Sequence, residues 1–293
     1  MIKTNQPPQN PGRFKMTMYP ISTQAKTDRQ IFLSVLCLTY NHETFIEKAI
    51  LGFLKQLTDF RVEIIIHDDA STDGTRGILL TYAERHPELI KVISPEVNLY
   101  KTGRDLLSLL APLARGRYIA FCDGDDYWAD SHKLQKQVNF LESNSSYSIS
   151  GNDNRIVSPS GVEIASNKLP ANLRMEQSAE NLKNGDAWLP FSSVVLRNVI
   201  LKEPIFEISG VVNKDIFIYS LIGAHGHSWF HTDIESGVCH RHPNSSWGPL
   251  DEKQKNIEMT NTYFQLYRYW LRVGDSSTAM AWWKKWKIMS SRV

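Results

Sequence analysis

The sequence predicts an α/β fold in which a mostly parallel, Rossmann-like sheet is flanked by helices on both faces. The main observation is that apolar, strand-like runs alternate with segments of helical periodicity from Ile31 to Asn144. The chain also has 293 residues, of which 42% are hydrophobic and 22% charged, as is usual for a globular protein with a large core. No run reaches 18 uninterrupted apolar residues, so no membrane-spanning helix is predicted.

The first half of the chain carries the clearest secondary-structure signals. Its predicted strands are Ile31–Leu38, Val62–Ile66, Ile90–Ile93 and Tyr118–Cys122. Between and after them, apolar residues recur at helical spacing, as in Ile46, Ile50 and Phe53, and in Leu134, Val138 and Leu141. This order is typical of βαβ units.

The alternation weakens after residue 145. Short hairpin strands are predicted at 147–150, 155–157 and 162–165, then a strand at 190–196, a helix at 215–222 and a strand at 236–240. The chain is predicted to be helical from about Asp251, with Tyr263, Tyr267 and Trp270 on one face. We therefore predict a flexible N-terminal tail at 1–28, a main domain at 29–250 with halves at 29–145 and 146–250, and a C-terminal helical extension at 251–293.

Charge and cysteine content exclude several classes of protein. The 33 basic and 31 acidic residues nearly cancel, which argues against a dedicated nucleic-acid-binding protein. Cys37, Cys122 and Cys239 are far apart in apolar stretches, which is typical of reduced core cysteines rather than of a disulfide framework or a zinc site. The first 28 residues lack the apolar core of a signal peptide, so the expected location is cytoplasmic.

Three carboxylates follow the fourth predicted strand directly. Asp123, Asp125 and Asp126 are separated only by Gly124, which allows a ligand to approach the backbone. Like charges this close repel one another, so the cluster favours a cation. The alternative is a solvated acidic turn that leads into the helix beginning near Ser131.

Two other predicted strands end in polar motifs. They are Thr39-Tyr40-Asn41-His42 and Asp68-Asp69-Ala70-Ser71-Thr72-Asp73-Gly74-Thr75. The ends of parallel strands meet at one edge of a doubly wound sheet, where ligands bind. Together with the Asp123 cluster and the helix with Lys133, Leu134 and Gln137, this series resembles the nucleotide-sugar-binding half of family-2 glycosyltransferases, which have the GT-A fold. The resemblance covers about residues 31–145 and continues more faintly to about 247.

The resemblance implies a role for each strand end. Thr39, Tyr40 and Asp69 would hold the nucleoside, with Tyr40 packed on the base and Asp69 accepting the imide N–H of a uracil ring. Asp123 and Gly124 would lie near the ribose, and Asp125 would bind Mn²⁺ or Mg²⁺. Alternatively, Asp68 or Asp69 is a turn residue ahead of a capped helix.

The resemblance also implies residues in the second half. Asp215, just before a predicted helix, is the candidate catalytic base. Asp186, Asp233 and Glu235 are alternatives, because this chain has Lys214 where the family more commonly has Gly or Glu before the aspartate. Asp215 is otherwise an acid in a first helical turn, where the helix dipole favours it.

The segment Cys239-His240-Arg241-His242-Pro243 resembles a late motif of the same enzymes. It implies that His242 completes the metal coordination and that Arg241 pairs with diphosphate oxygens. A structural histidine is the alternative for His242.

The last predicted helix combines tryptophans with lysines. Trp282, Trp286 and Met289 lie on one helical stripe, and Lys284, Lys285 and Lys287 lie largely elsewhere. This pattern suits either a peripheral contact with a membrane or a terminal helix docked on the core with solvated lysines.

Together with these residues, the resemblance implies a metal-dependent, inverting glycosyltransferase that moves a sugar from a UDP-linked donor to a hydroxyl of a glycan or lipid-linked glycan. It also implies bacterial surface polysaccharide synthesis, at the inner face of the cell membrane, as the expected setting. A nucleotidyltransferase is one alternative, but the Thr39 to His42 run has no glycine-rich triphosphate loop. A non-catalytic sugar-nucleotide-binding protein is the other.

Overall fold

The computed structural model describes residues 16–18, 30–200, 205–245 and 247–293. The strands are β1 (Met16–Met18), β2 (Leu33–Thr39), β3 (Val62–Asp68), β4 (Ile90–Pro95), β5 (Tyr118–Phe121), β6 (Asp126–Tyr127), β7 (Tyr147–Gly151), β8 (Asn154–Val157), β9 (Glu163–Ala165), β10 (Val195–Arg197), β11 (His227–Phe230) and β12 (Gly237–His240). The helices are α1 (Ile46–Leu54), α2 (Thr75–Arg85), α3 (Leu106–Leu110), α4 (Lys133–Ser143), α5 (Ala179–Asn184), α6 (Lys214–Ile222), α7 (Glu252–Arg272) and α8 (Ser276–Ser290).

A mixed, mostly parallel sheet of eight strands forms the centre of the molecule, in the order β1-β4-β3-β2-β5-β10-β7-β11. Strands β2 to β5 are parallel to one another, whereas β10 runs antiparallel between β5 and β7. The strand order reverses at β2, because β3 and β4 lie on one side of it and β5 on the other. The predicted α/β fold is confirmed, and the reversal marks the usual position of a ligand crevice.

Helices cover both faces of this sheet. Successive residues of β2 face opposite sides, so Val35 and Cys37 pack with α1 and α4, and Leu36 packs on the other side with α3 and α6. Strands buried on both faces read as continuous apolar runs, which explains why the first half was predictable. Cys37 and Cys122 are free and buried, as predicted.

A second sheet of four strands, in the order β6-β12-β8-β9, lies beside the first. The antiparallel pair of β8 and β9 confirms the hairpin predicted at 155–157 and 162–165. Strand β12 pairs with β6, which directly follows the acidic loop at 123–125. This pairing brings a segment more than 110 residues away in sequence to the acidic cluster.

The strand predicted at 190–196 is wrong in its first half. Residues Phe191–Ser193 form a turn of 3₁₀-helix, and only Val195–Arg197 is a strand. The turn is held locally, because the backbone N–H and the hydroxyl of Ser193 both donate to the carbonyl of Pro190. Its freed carbonyls accept from the Trp128 indole and the Gln137 amide.

The C-terminal helices form an antiparallel hairpin packed on α6. A capping box between Asp251 and Gln254 starts α7. Trp270 and Trp282 are both buried, and each indole N–H donates to Ser220 Oγ, at 2.8 and 3.1 Å. Of the two interpretations of the Trp282 stripe, the buried position of Trp282 favours the terminal helix docked on the core, where burial of its large apolar ring is stabilising.

The predicted tail at 1–28 lies outside the described residues except for Met16–Met18, which pair antiparallel with β4. In the described ranges, none of the helices has the length and apolar character needed to cross a membrane.

Candidate active site

The polar loops after β2 and β3 are joined by hydrogen bonds. Ser71 Oγ accepts from the Asn41 N–H at 2.9 Å, and Asn41 Oδ1 accepts from the Thr72 N–H at 2.8 Å. Asn41 has a φ of +55°, a left-handed conformation that asparagine tolerates better than most residues. The chain turns here, and the His42 N–H donates to Thr75 Oγ1 at 2.8 Å. The loops thus fix the position of His42.

The acidic loop after β5 packs directly on the end of β2. The Gly124 N–H donates to the Leu38 carbonyl at 2.9 Å, and a Cβ at position 124 would lie only 2.6 Å from Thr39 Oγ1 and 2.9 Å from Ile46. Gly124 is therefore required for this close packing. The structure brings Thr39 and Gly124 together, and the buried Thr39 Oγ1 has no hydrogen-bond partner among the described residues.

His42, Asp125 and His242 form a compact group at this edge. Asp125 Oδ2 lies 3.0 Å from His242 Nε2 and 3.9 Å from His42 Nε2, and one ligand atom from each residue lies within 4.8 Å of the others. Phe45 stacks on the His242 ring at a centroid distance of 4.9 Å and an interplanar angle of 26°. These packed rings can present their nitrogens in fixed directions.

The three carboxylates have different protonation behaviour. Burial, together with Asp125 and Asp126, raises the pKa of Asp123 well above its ordinary value, and burial with Asp125 raises the pKa of Asp126 to about 6. Burial also acts to raise the pKa of Asp125, but the His242 hydrogen bond and the nearby His42 hold it below its ordinary value. Asp125 is thus the carboxylate best prepared to bind a cation.

The donor set fits a divalent cation. Two ligand atoms bound about 2.1 Å from one ion lie at most about 4.2 Å apart, so only a small contraction of the observed group is needed. His42 Nδ1 is buried without a hydrogen-bond partner among the described residues, so this ring is not committed to a structural network through that atom. Two imidazoles and one carboxylate suit a transition-metal ion such as Mn²⁺ better than Mg²⁺, which prefers oxygen ligands.

Tyr40 and Asp69 both contact the loop at 98–102. Lys101 Nζ is 5.5 Å from the Tyr40 ring centroid. Asp69 is only 2% exposed, and its two carboxylate oxygens accept from the backbone N–H groups of Leu99 and Tyr100 at 2.8 and 3.0 Å. Burial alone would raise the pKa of Asp69, but hydrogen bonds from His67 and these N–H groups hold it below its ordinary value. Asp69 therefore anchors the loop that holds Lys101 over Tyr40.

Asp215 lies in the first turn of α6 and is held by an indole. Trp188 Nε1–H donates to Asp215 Oδ2 at 2.7 Å. Lys214 does not neutralise Asp215, because its ammonium group binds Asp105 Oδ1 at 2.9 Å. The negative charge of Asp215 also contributes, after burial and the nearer carboxylates, to the raised pKa of Asp123.

Lys168 lies close to the acidic loop at 123–126. Its Nζ lies 3.3 Å from Cys239 Sγ and 5.8 Å from the Trp188 ring centroid, and it affects the titration of Asp123 and Asp126. Sequence reasoning missed both Lys168 and His42 as site residues. His42 stood within the quoted strand-end motif, so a histidine at the ligand edge was the available signal, whereas Lys168 lies in a loop without any motif.

Other predicted residues lie apart from this group. Arg241 is exposed. Its two sequence neighbours, His240 and His242, both pack their rings on Phe45. Asp186 pairs with Lys285 of α8.

The remaining two alternatives for the base, Asp233 and Glu235, lie beside the start of α4. Asp233 is near Lys136, and the Glu235 N–H donates to Asp130. Among the four candidate acids, Asp215 is thus the one whose charge contributes to the raised pKa of Asp123.

Comparisons with known proteins identify relatives of this chain. The sequence profile of Glycosyl transferase family 2 matches residues 34–193, which is more than half of the chain. A putative teichuronic acid biosynthesis glycosyltransferase of Bacillus subtilis, TuaG, is 39% identical over 127 residues, covering 43% of this chain and 48% of its own. The UDP-Glc:alpha-D-GlcNAc-diphosphoundecaprenol beta-1,3-glucosyltransferase WfaP of Escherichia coli is 34% identical over 110 residues, covering 38% of this chain and 41% of its own.

An uncharacterized protein of Mycobacterium bovis is 46% identical over 112 residues, which is 38% of this chain and 31% of that protein. The matches thus span from about a third to about half of the length of these relatives.

Solved structures share the fold. Staphylococcus aureus TarS in complex with UDP-GlcNAc has a TM-score of 0.60 at 18% identity, covering 80% of this chain and 66% of that chain. The mannosyltransferase PcManGT of Pyrobaculum calidifontis, in complex with GDP-Man and Mn²⁺, has a TM-score of 0.56 at 16% identity, covering 90% and 77%. Both likenesses confirm the predicted GT-A-like architecture.

Proposed function

The chain belongs to glycosyl transferase family 2, and from that premise we propose that it transfers a sugar from a UDP-linked donor to a glycan hydroxyl, with inversion at the anomeric carbon. The observation that carries the proposal is the convergence of three strand-end loops on one edge, where His42, Asp125 and His242 meet. Asp215 has its carboxylate held by Trp188, and its charge contributes to the raised pKa of Asp123 in the acidic loop. The chain is a glycosyltransferase. The identity of its donor, metal ion and acceptor is what we propose here.

The names of related proteins support the choice of donor and setting. WfaP is named for a UDP-Glc donor and a diphosphoundecaprenol-linked acceptor, and TuaG for teichuronic acid biosynthesis. The TarS structure contains UDP-GlcNAc, whereas the mannosyltransferase structure contains GDP-Man. We therefore propose a UDP-linked donor and a lipid-linked glycan acceptor in bacterial surface polysaccharide synthesis, at the inner face of the membrane.

The nucleotide would bind across the ends of β2, β3 and β5. The Tyr40 ring would pack on the base, and Lys101, 5.5 Å from that ring, has the reach to contact a phosphate. Asp69 would act by anchoring the 98–102 loop through the Leu99 and Tyr100 N–H groups. Asp123 and Thr39 would contact the ribose.

His42, Asp125 and His242 would hold the divalent cation, and we propose Mn²⁺ in preference to Mg²⁺. A bound cation would stabilise the negative charge on the departing diphosphate as a Lewis acid.

Asp215 would act as the general base. The acceptor oxygen forms a bond to the anomeric carbon while the bond from that carbon to the diphosphate oxygen breaks, and the hydroxyl proton passes to Asp215. A single displacement of this kind inverts the anomeric configuration. The Trp188 indole would keep one carboxylate oxygen in place, leaving the other directed at the acceptor.

Donor hydrolysis tests the proposal. Purified protein is incubated with a panel of UDP-sugars and GDP-mannose, with Mn²⁺ or EDTA, and release of nucleoside diphosphate is measured. We expect Mn²⁺-dependent turnover of a UDP-sugar, and a loss of about 10²- to 10⁴-fold in Asp215→Asn with unchanged UDP affinity. Asp186→Asn is the matched control, because its carboxylate pairs with Lys285 away from the cluster.

Full activity of Asp215→Asn would rule out its role as base. Turnover of GDP-mannose alone would overturn the UDP assignment. Tight binding of a UDP-sugar with neither hydrolysis nor transfer would favour the non-catalytic alternative. Release of pyrophosphate from a nucleoside triphosphate and a sugar 1-phosphate would favour a nucleotidyltransferase.

A further inference from the structure

The outward side of the α7–α8 hairpin carries exposed apolar side chains. Ile257, Phe264 and Leu271 are 42%, 37% and 52% exposed, and Met280 on α8 is 49% exposed. The three residues of α7 are spaced by seven, almost two helical turns, so they lie on one stripe. We define the hairpin face as this stripe with Met280, Lys284 and Lys287.

The hairpin face is not needed to hold the hairpin in place. The opposite sides of the same helices bury Leu266, Trp270, Ala279 and Trp282 in the core with α6. The exposed parts of these apolar side chains are left in water within the described part of the chain, although Phe264 also packs on Trp286, and this exposure costs free energy unless a partner covers them.

Positive charge accompanies this apolar stripe. Residues 259–293 contain six basic side chains and one acid, Asp275, whereas the whole chain has a net charge of only +2. Arg272 and Lys285 are paired with Glu207 and Asp186, which belong to the body of the protein. The other four, Arg268, Lys284, Lys287 and Arg292, have no acid within 4.0 Å among the residues that the structure describes.

Aromatic rings lie among these cations. Phe264 and Trp286 are in contact, with ring centroids 5.5 Å apart, and Lys287 Nζ is 5.3 Å from the Trp283 ring centroid. Apolar and aromatic side chains beside unpaired lysines match the boundary between acyl chains and anionic headgroups. We propose that the hairpin face binds the surface of an anionic lipid bilayer.

Other partners fit the hairpin face less well. Exposed Ile, Leu, Met and Phe side chains add nothing to binding of a nucleic-acid backbone, which requires mainly cations. A two-fold contact with a second copy would set the same unpaired cations against each other, and like charges repel. A bilayer with anionic headgroups satisfies both the charge and the apolar surface.

The hairpin face is also linked to the proposed acceptor side of the site. The first half of α7 contacts the segment that precedes Asp215, through Asn261 Nδ2 and the Gly210 carbonyl at 3.1 Å and through Asn213 and Met259. Bilayer binding would therefore hold the entrance near Asp215 close to a lipid-linked acceptor. The binding itself requires neither donor nor acceptor, so it is tested separately from the proposed glycosyl transfer.

Vesicle sedimentation of the full chain tests the proposal. We compare vesicles of phosphatidylglycerol and phosphatidylcholine with vesicles of phosphatidylcholine alone. The wild type is expected to sediment with the anionic vesicles, and Lys284→Gln/Lys287→Gln is expected to lower the partition coefficient roughly 30-fold. Phe264→Ser/Leu271→Ser should also weaken binding, because it removes apolar surface.

The matched control is Lys48→Gln/Lys55→Gln, which removes two exposed charges from α1 and its C-cap, on the opposite face of the sheet. Wild-type partition in this control supports the proposal, provided that circular dichroism shows all variants to be folded. Equal sedimentation of the wild type with both vesicle types overturns it, and so does an equal loss in the two lysine double variants. A dimer seen by light scattering that dissociates in Lys284→Gln/Lys287→Gln, without vesicle binding, also overturns it and assigns the hairpin face to a second copy.

Discussion

His42 depends on the backbone of the residue before it. The positive φ of Asn41 turns the chain after β2, and the hydrogen bond to Thr75 holds the turned segment against the next loop. The imidazole thereby lies 3.9 Å from Asp125, a residue 83 positions away in sequence. The left-handed conformation of Asn41 thus brings a nitrogen ligand to the candidate metal site.

We predict that His42→Ala lowers Mn²⁺ affinity by tenfold or more, because one of three protein ligands is lost. Electron paramagnetic resonance of free Mn²⁺, measured without nucleotide, checks this independently of activity. His240→Gln is the control, since His240 packs on Phe45 but does not belong to the three-ligand group. Equal Mn²⁺ affinity in His42→Ala and wild type would show that His42 is not a ligand.

Lys133 is a buried cation outside the candidate site. It is 2% exposed, and its Nζ lies 4.7 Å from the Trp128 ring centroid and contacts Gln137 Oε1. Burial lowers the pKa of Lys133 to about 7, with Cys122 and Asp130 acting in the opposite direction. The folded pKa therefore lies below the unfolded value of about 10.5.

We expect Lys133 to make stability depend on pH. The unfolded chain keeps the proton on this residue up to higher pH than the folded chain does, so the free energy of unfolding rises as pH increases from about 7 to about 10.5. Lys133→Met removes this burial cost and should raise the free energy of unfolding by about 1–3 kcal/mol at pH 7, with a flatter pH dependence in that window.

Urea unfolding at several pH values checks the Lys133 prediction. Lys136→Met, on the same helix but 34% exposed and paired with Asp130, is the control and should not be stabilised. A loss of stability in Lys133→Met at pH 7 would show that the ammonium contacts outweigh its desolvation.

At the scale of elements, the junction of β2 with the loop after β5 is the tightest point of the candidate site. Gly124→Ala would place a methyl group 2.6 Å from Thr39 Oγ1 and 2.9 Å from Ile46, so the loop has to shift. We predict that this variant lowers the free energy of unfolding by about 1–3 kcal/mol and weakens metal binding.

Thermal unfolding with and without Mn²⁺ measures both effects of Gly124→Ala. Gly77→Ala is the control, because it adds the same methyl group to the exposed side of α2, where nothing lies within 4 Å. It should raise stability by about 0.5–1 kcal/mol through helix propensity. If Gly124→Ala were as stable as Gly77→Ala, the close packing would have no energetic role.

The elements differ in how far the sequence alone predicts them. Strands β2, β3 and β5 are buried on both faces, so their apolar runs are unmistakable. Strand β11, with the sequence His-Ser-Trp-Phe, is short and half polar, and α5 is only six residues long, so neither was predicted. Their positions depend on neighbours distant in sequence, as in the pairing of β11 with β7.

The candidate site was predictable to a similar extent. Asp125 and His242 were proposed from motifs, and they lie 3.0 Å apart, but their roles remain predictions. His42 reaches this group through the unusual backbone turn at Asn41, and Lys168 comes near Cys239 from a loop distant in sequence, and periodicity reports neither. Asp69 was predictable as a strand-end acid, whereas its use as an anchor for the 98–102 loop was not.

At the scale of the whole molecule, the two sheets are joined at the candidate site. The β12–β6 pairing carries the segment with His242 from the second half across to the acidic loop of the first half. Metal binding would therefore connect the two predicted halves of the domain. The C-terminal hairpin from residue 259 onwards carries six basic residues and one acid, whereas the loop at 123–126 carries three acids.

The central claim is that Asp125 holds a divalent cation through which the diphosphate of the nucleotide binds. Isothermal titration of UDP, with Mn²⁺ or EDTA, tests it most directly in wild type and in Asp125→Asn. We predict that EDTA lowers the UDP affinity of the wild type at least tenfold, and that Asp125→Asn shows the weaker affinity under both conditions while remaining folded. An Asp125→Asn variant that binds UDP in Mn²⁺ as tightly as the wild type would contradict the account.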